Sequence, residues 1–356
     1  MMSRTQKLTE AVKLGSSAAI LLSKPSNIFY ISGYTGEGYV LLGEGLNAII
    51  TDFRYTEQAE RQAPGFSVHM IETGVTHVDI AYKLMREAGK DTLLYEDDQF
   101  TVRGFESMKE KMPGITFDGL KNAPEKVREV KDEGEITLIE QACEISCRAF
   151  DWLLGELRPG MTEKQAQLKL DYKMMELGAQ KLAFDTIVAS GENGSLPHAI
   201  PGERVFQKGD MITFDFGAKK GGYCADMTRT VALGEPGTEM RRIYDTVLRA
   251  QVTCEEALAP GKCCRDIDAI ARDIIDGAGY AGRFGHGLGH SVGIDIHESP
   301  RLSPACSDIL VPGVTMTVEP GIYVPGLGGV RIENTCVITA DGGRTLVHAQ
   351  KELVIL

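Results

Sequence analysis

The chain has 356 residues, which exceeds the usual size of one domain and predicts two domains with a substantial buried core. Its 38 basic and 50 acidic residues give a net charge of -12, which argues against nucleic acid or an anionic membrane as a partner. The apolar stretches near the N-terminus are too short for a membrane span or a secretory signal, so a cytoplasmic location is expected. The eight cysteines contain no CxxC pair, which favours reduced thiols.

The N-terminal third predicts a small α/β domain. Residues 1–122 alternate short apolar runs, typical of strands, with helical stretches. A charged stretch at 123–134 is expected to be a linker, and 135–356 to be the second domain. Asp132 and Glu135 have capping-box spacing, which predicts the start of a helix at this boundary.

The second domain opens with further helices. Thr162 and Gln165 form another predicted capping box, and the helix that follows is expected to stop at Gly178. Two later helical runs are separated by the breaker Pro260-Gly261. Strand-rich segments lie between and after these helices.

Two strand-rich segments resemble one another: MITFDFGAKKGGYCADMTRTVA and TMTVEPGIYVPGLGGVRIENTCVIT. Each runs from an apolar strand through an acid, a glycine-containing turn and a second acid to a β-rich tail. The acids are Asp215 and Asp226 in the first segment, and Glu319 and Glu333 in the second. Each segment therefore predicts a β-hairpin with one carboxylate on each arm, and pseudo-symmetric packing of the hairpins would collect four carboxylates.

Four carboxylates on strand interiors among apolar neighbours would repel one another. Burial without counter-charge would force them to protonate, at a cost of several kcal/mol each. Divalent metal ions remove this problem, and carboxylates can bridge two ions. Hard oxygen ligands with one imidazole suit Mn²⁺, Co²⁺, Fe²⁺ or Zn²⁺.

A glycine-rich stretch at 285–298 supplies the candidate imidazole. It contains His286, His290 and His297, three of the seven histidines of the chain. Such enrichment favours metal ligation or proton transfer over a structural role. Its glycines allow the backbone to bring the rings close together.

The same stretch also matches the GxSxG pattern of serine hydrolases at Ser291, with Asp341 and His348 downstream. A nucleophile elbow requires a strand before the serine and a helix after it, and neither is predicted here. There is no phosphate-binding loop and no HExxH motif. The serine hydrolase is therefore disfavoured.

Four segments together closely resemble the pita-bread metallopeptidases, which include methionine aminopeptidase, aminopeptidase P and prolidase. They are TFDFGAKKGGYCADMTRT, GHGLGHSVGIDIHE, TVEPGIYV and VRIENT. The similarity covers the C-terminal half and a plausible N-terminal creatinase-like domain. It implies an α/β (α+β) fold, with a small creatinase-like α/β domain followed by a pita-bread domain that has a pseudo-twofold curved antiparallel sheet. It also implies a homodimer.

The resemblance assigns metal ligands residue by residue. Asp215 resembles the ligand of one ion, and His290 and Glu319 resemble ligands of the other. Asp226 and Glu333 would bridge the two divalent ions, for which Mn²⁺ is preferred over Co²⁺, Fe²⁺ or Zn²⁺. Glu319 would also carry the proton of the attacking water.

The resemblance also implies a substrate class. His198, His286 and His297 resemble the family histidines near the substrate, and Arg331 resembles the arginine of the proline-specific branch. Charge neutralisation of the acidic cluster is an equal alternative for Arg331. The implied substrates are small peptides with proline in second position. An Xaa-Pro aminopeptidase is preferred and an Xaa-Pro dipeptidase, or prolidase, is the alternative.

A metal-free relative is the other class of function considered. Creatinase shares the fold but hydrolyses a guanidino compound without metal, and other relatives are non-catalytic, since a fold alone does not fix function. Such relatives lose metal ligands. All five candidate ligands are present here, which disfavours this alternative.

Overall fold

The computed structural model describes residues 2–356, which divide into two compact units. One unit ends at Arg128 and the other begins at Glu129. The stretch 123–134, expected to be a linker, contains the short helix Ala123–Arg128. The domain limits derived from the sequence remain a prediction.

The first unit consists of short strands and short helices in alternation. The strands are β1 (Ala18–Leu22), β2 (Tyr39–Gly43), β3 (Leu46–Thr51), β4 (Ser67–Met70), β5 (Thr92–Tyr95) and β6 (Thr116–Gly119). The helices are α1 (Arg4–Ala11), α2 (Pro25–Ser32), α3 (Thr56–Gln62), α4 (His77–Glu87), α5 (Val102–Lys111) and α6 (Ala123–Arg128).

The six strands form one mixed sheet in the order β4-β3-β2-β1-β5-β6. Strand β1 is central, and all five of its residues, AAILL, are buried. A continuous apolar run is what a strand covered on both faces requires. It pairs antiparallel with β2 and parallel with β5. This unit is the α/β domain that the sequence predicts.

The second unit has longer helices and mostly short strands. The helices are α7 (Glu133–Leu154), α8 (Glu163–Glu176), α9 (Thr238–Ala257) and α10 (Cys264–Ile275). The strands are β7 (Lys181–Leu182), β8 (Ile187–Ser190), β9 (Met211–Phe216), β10 (Ala218–Lys220), β11 (Tyr223–Cys224), β12 (Met227–Ala232), β13 (Gly289–Ser291), β14 (Glu298–Leu302), β15 (Thr315–Val318), β16 (Gly321–Val324), β17 (Gly328–Arg331), β18 (Asn334–Ile338) and β19 (Gly343–Thr345).

Both predicted capping boxes of this unit are confirmed. Asp132 and Glu135 cap α7 reciprocally, and Thr162 and Gln165 do the same for α8. Each pair satisfies two backbone N–H groups that the first turn leaves open. Helix α8 ends two residues before Gly178, which has a positive φ of 99°. No helix within 2–356 has the length and apolarity to span a bilayer.

The two similar segments are confirmed as β-hairpins. Strand β9 pairs antiparallel with β12, and β15 pairs antiparallel with β18. Asp215 lies within β9, opposite Thr228. The other three acids lie just outside strand ends: Asp226 precedes β12, Glu319 follows β15 and Glu333 precedes β18. The expectation that all four occupy strand interiors was therefore wrong in detail.

The two hairpins are joined to each other along β12. The backbone N–H of Glu333 donates to the carbonyl of Thr228 at 3.0 Å. Two threonine hydroxyls continue the contact, since Thr230 donates to the carbonyl of Arg331 at 2.9 Å and Thr335 to that of Asp226 at 2.8 Å. These links bring the carboxylates of the two hairpins to the same place.

A third hairpin, β13–β14, carries the histidines. Gly289 begins β13 and runs so close to β15 that a Cβ on it would lie 2.0 Å from the carbonyl oxygen of Thr317. Only glycine tolerates that approach. The close packing of β13 on β15 therefore places His290 beside Glu319, which directly follows β15.

A buried lysine stabilises this hairpin from behind. The ammonium group of Lys131 donates to Ser291 Oγ at 2.9 Å and to Glu298 Oε2 at 3.0 Å. The two side chains of the ion pair are 1% and 8% exposed. Ser291 and Glu298 follow His290 and His297 directly in the chain, so Lys131 ties the backbone beside both histidines to the segment before α7.

We predict that Lys131→Met lowers the free energy of unfolding of the second unit by about 3–5 kcal/mol, because it removes a cation from the buried Glu298 carboxylate. Chemical denaturation followed by circular dichroism measures the change. The control is Lys169→Met, whose pair with Glu156 is about 40% exposed on both sides. That variant should lose no more than about 1 kcal/mol. Equal losses would contradict the assigned role of Lys131.

Candidate metal centre and active site

A cavity of about 380 Å³ in the second unit collects the residues singled out from the sequence. All nine candidates line it: His198, Asp215, Asp226, His286, His290, His297, Glu319, Arg331 and Glu333. They come from different strands and loops and lie far apart in the chain. The structure brings them together, while their individual roles remain predictions.

The buried end of the cavity is a cluster of two carboxylates and one imidazole. Ligand atoms of Asp226, His290 and Glu333 all lie within 4.8 Å of one another, and all three residues are buried. Burial raises the pKa of Asp226 well above its usual range, and the charge of Glu333 raises it further. Burial, followed by the charges of Glu319 and Asp215, does the same for the pKa of Glu333.

The remaining two acids flank this cluster. Burial raises the pKa of Glu319 to about 8, against the opposing charge of Arg331. Its Oε1 lies 3.5 Å from His290 Nε2. Asp215 is a neighbour of the whole group, because its charge raises the pKa values of Asp226, Glu319 and Glu333. Four carboxylates thus share one low-dielectric space.

The imidazole of His290 turns a lone pair toward these acids. Its Nδ1 lies 3.0 Å from the carbonyl oxygen of Ser291, which can only accept, so Nδ1 carries the proton. Burial lowers the pKa of His290 to about 4, and the ring is neutral near pH 7. Nε2 is then an acceptor facing Asp226 Oδ2 and Glu319 Oε1, each 3.5 Å away. When both acids are ionised, three acceptors face one another here, and a divalent cation between them would satisfy all three.

Asp215 supports the same conclusion independently. Its Oδ2 accepts from Arg331 Nη2 at 2.6 Å, but its Oδ1 is buried and has no hydrogen-bond partner within 2–356. A buried carboxylate oxygen left in this state costs free energy. Oxygen ligands with one neutral imidazole are the donors that first-row divalent ions take. The residues present therefore fit a divalent metal centre.

Two threonines orient the acids. Thr228 Oγ1 donates to Glu333 Oε2 at 2.6 Å, and Thr317 Oγ1 lies 3.2 Å from Glu319 Oε1. The Thr317 hydroxyl also accepts from the backbone N–H of His290 at 3.0 Å. Such outer contacts hold metal ligands in one rotamer.

Arg331 connects the acids to a second histidine. Its Nη1 donates to Tyr323 Oη at 2.9 Å, and Tyr323 Oη lies 2.8 Å from His286 Nε2. The Nδ1 of His286 faces the carbonyl of Gly287 at 2.8 Å and carries the proton, so Tyr323 donates to Nε2. Arg331 thus pairs with Asp215 and also orients a hydrogen-bond chain that runs through Tyr323 to His286, which lines the cavity.

The other two histidines border the open side of the cavity. The ring of His297 lies 4.5 Å from that of His290 in an edge-to-face arrangement, and its side chain is exposed. His198 is exposed on a separate loop between β8 and β9. Both are placed to contact a molecule in the cavity.

The serine-hydrolase alternative fails on geometry. Ser291 is fully buried, and its hydroxyl contacts Lys131 Nζ and Thr315 Oγ1. It lies in strand β13, with no helix after it. Asp341 and His348 are both exposed and neither lines the cavity.

The sequence reasoning missed several residues around the site. Tyr323 could have been noticed as a polar aromatic residue in an otherwise apolar strand, four positions after Glu319. Arg301 could have been noticed opposite the glycine-rich stretch. Nothing in the sequence marks Thr228, Thr317 or Lys131, because their roles depend on pairing between distant segments.

Comparisons with known proteins agree with this geometry. The model of metallopeptidase family M24 matches residues 137–340, and that of the creatinase/prolidase N-terminal domain matches residues 4–130. The chain belongs to metallopeptidase family M24. It is therefore a metallopeptidase, and the fold class and family expected from the sequence are confirmed.

Individual relatives cover essentially the whole chain. A solved Xaa-Pro dipeptidase from Bacillus anthracis is 38% identical, with a TM-score of 0.95, and 99% of each chain is covered. An X-Pro aminopeptidase structure from Thermotoga maritima is 36% identical, with a TM-score of 0.91 and 98% and 100% coverage. The Xaa-Pro dipeptidase of Pyrococcus furiosus is 35% identical over 99% of this chain and 100% of its own.

We predict that Asp226→Asn lowers peptidase activity more than about 100-fold and weakens metal retention, because an amide cannot replace a carboxylate ligand. Elemental analysis after gel filtration measures the metal that remains. The metal-free variant should unfold at the same temperature as metal-free wild type or higher, since one of the repelling carboxylates is gone. Wild-type activity with wild-type metal content would contradict the assignment.

Proposed function

We propose that the protein is a metal-dependent Xaa-Pro dipeptidase that uses two divalent cations. Asp215, Asp226, His290, Glu319 and Glu333 would hold the cations. The observation that carries the proposal is the single cavity in which these five side chains meet three further histidines and two arginines. Mn²⁺ is the preferred ion, with Co²⁺, Fe²⁺ and Zn²⁺ as alternatives.

Divalent cations at this centre would polarise the scissile carbonyl and lower the pKa of a nucleophilic water toward neutrality. Glu319 is placed to move a proton, because its carboxyl group lies beside His290 and lines the cavity. Tyr323 donates to His286 Nε2, so His286 can offer only its ring face and the neighbouring backbone to a substrate. His198 and His297 remain open for hydrogen bonds to the peptide.

The dipeptide preference rests on Arg301. This residue pairs directly opposite His290 across β13–β14, so both side chains leave the same face of the hairpin. Its side chain is exposed and lines the cavity. Unlike Arg331, which is paired with Asp215, Arg301 forms no ion pair within 2–356. A guanidinium here suits the C-terminal carboxylate of a two-residue substrate.

This proposal reverses the order of the two peptidases considered from the sequence. The names of the Bacillus anthracis and Pyrococcus furiosus relatives support the dipeptidase, whereas that of the Thermotoga maritima relative supports the aminopeptidase. The metal-free creatinase-like alternative is not favoured, because all five candidate ligands face one cavity. A homodimer and a cytoplasmic location remain part of the proposal.

We predict that the wild-type enzyme with Mn²⁺ cleaves Leu-Pro more efficiently than Leu-Pro-Gly, because the tripeptide moves its carboxylate away from Arg301. Arg301→Met should raise KM for Leu-Pro by about 10-fold to 100-fold, the worth of a charged hydrogen bond, and narrow the gap between the two substrates. Steady-state assay of released leucine measures both.

The control is Arg249→Met, an exposed arginine on α9 that does not line the cavity. It should leave KM for Leu-Pro unchanged. Faster cleavage of the tripeptide by wild type would favour the Xaa-Pro aminopeptidase over the dipeptidase. Absence of cleavage of both peptides with each of the four metals would contradict the proposed function.

A further inference from the structure

Glu163 is the first residue of α8, and its carboxylate is completely buried. Its Oε1 accepts from the backbone N–H of Ser190 and from Ser190 Oγ, both at 2.8 Å. Asn193 Nδ2 donates to both oxygens, at 3.1 and 3.2 Å. The N–H of Gly202 donates to Oε2 at 3.2 Å. One carboxylate therefore collects donors from several parts of the same loop.

These donors lie at the two ends of the loop 191–202. Ser190 is the last residue of β8, directly before the loop, and Asn193 lies in the short 3-10 helix Gly191–Ser195 that begins it. Gly202 lies at its end, so Glu163 closes the loop at its base. The backbone of α8 adds to this closure, since Lys164 N–H donates to the carbonyl of Gly202 at 3.0 Å. His198 lies between the two ends, on the exposed part of the loop.

The charge of Glu163 is compensated locally. Arg204 Nη1 donates to Ser190 Oγ at 2.7 Å, and the charges of Asp210 and Glu163 both stabilise its protonated form. The N-terminus of α8 also favours a negative charge at its first residue. Both carboxyl oxygens of Glu163 therefore serve as hydrogen-bond acceptors in the fold.

The far side of the loop is held as firmly. Gly194 packs against β17 so closely that a Cβ on Gly329 would lie 2.1 Å from the Gly194 carbonyl oxygen. Arg331 Nη1 lies 3.3 Å from the carbonyl oxygen of Pro197, the residue before His198. The imidazole of His198 is therefore carried on a loop that is fixed at its base and is held near its tip by the contact with Arg331.

We infer that Glu163 is a positioning residue that holds the loop 191–202 so that His198 faces the substrate cavity. The inference rests on the proposed function only in that His198 contacts the peptide. Glu163 itself does not line the cavity, so it acts through the loop.

Glu163→Gln tests this inference with little change in shape. An amide at this position turns a donor toward Asn193 Nδ2 or Gly202 N–H, and two donors repel where an acceptor is needed. We expect kcat/KM for Leu-Pro to fall by up to about 100-fold, the effect of misplacing a catalytic group by about 1 Å. Metal content should stay at the wild-type level.

A double-mutant cycle separates positioning from a general loss of structure. In a His198→Ala background, Glu163→Gln should lower kcat/KM by less than about twofold, because the group that it positions is absent. Equal falls in the two backgrounds would overturn the inference.

The chain offers a matched control in its other unit. Glu96 is buried and accepts from the backbone and hydroxyl of Ser23, the backbone of Lys24 and the amide of Asn27. Glu96→Gln therefore makes the same chemical change in a similar nest of donors. It should leave kcat/KM and its dependence on His198 unchanged, and a coupling as large as that of Glu163 would overturn the inference.

Two further measurements keep the inference testable if Glu163→Gln folds poorly or wild type lacks activity. Combining Glu163→Gln with Asn193→Asp places an acceptor opposite the new amide and should recover part of kcat/KM; no recovery contradicts the inference. Hydrogen exchange should show faster exchange at Gly202 in Glu163→Gln than in wild type, whatever the activity. If wild type is inactive but Gly202 exchanges faster in Glu163→Gln, only the proposed function is contradicted. If the exchange at Gly202 is unchanged, the inference about Glu163 is contradicted.

Discussion

The mutual repulsion of four carboxylates is the constraint on which the rest of this structure depends. Asp215, Asp226, Glu319 and Glu333 meet in one cavity, and burial strongly raises the pKa values of Asp226, Glu319 and Glu333. A fold that depends only on its own stability would avoid such a cluster. Divalent cations bound by these acids would remove their mutual repulsion, and the surrounding hairpins hold the acids in place for such ions.

The framework behind the centre is correspondingly rigid. Arg229 is buried beside the cluster, and its guanidinium donates to the carbonyl of Glu333, to Asn334 Oδ1 and to the carbonyl of Ala349. It thereby ties β12, β18 and the C-terminal segment together without touching the carboxylates. The proposed ligands thus lie on or beside paired strands, whereas the exposed histidines lie on a loop and a hairpin edge. This arrangement would keep the proposed metal ligands fixed while contacts to a substrate could vary.

Much of this organisation was predictable from the sequence. The similar acid-turn-acid segments predicted two hairpins, because a period-two apolar pattern and glycine turns are local signals. Capping boxes at Asp132 and Thr162 marked helix starts for the same reason. The pairing of Thr228 with Glu333, the burial of Lys131 and the closure of a loop by Glu163 were not predictable, since each joins segments that no local pattern connects.

The most direct test is to add Mn²⁺ to metal-free protein and measure bound ions per chain by native mass spectrometry, with thermal unfolding alongside. The account predicts two ions per chain and a higher unfolding temperature, because binding to the folded state alone stabilises it by about 2.7 kcal/mol per site at 100 times Kd. A protein that binds no Mn²⁺, Co²⁺, Fe²⁺ or Zn²⁺, with an unchanged unfolding temperature, would contradict it.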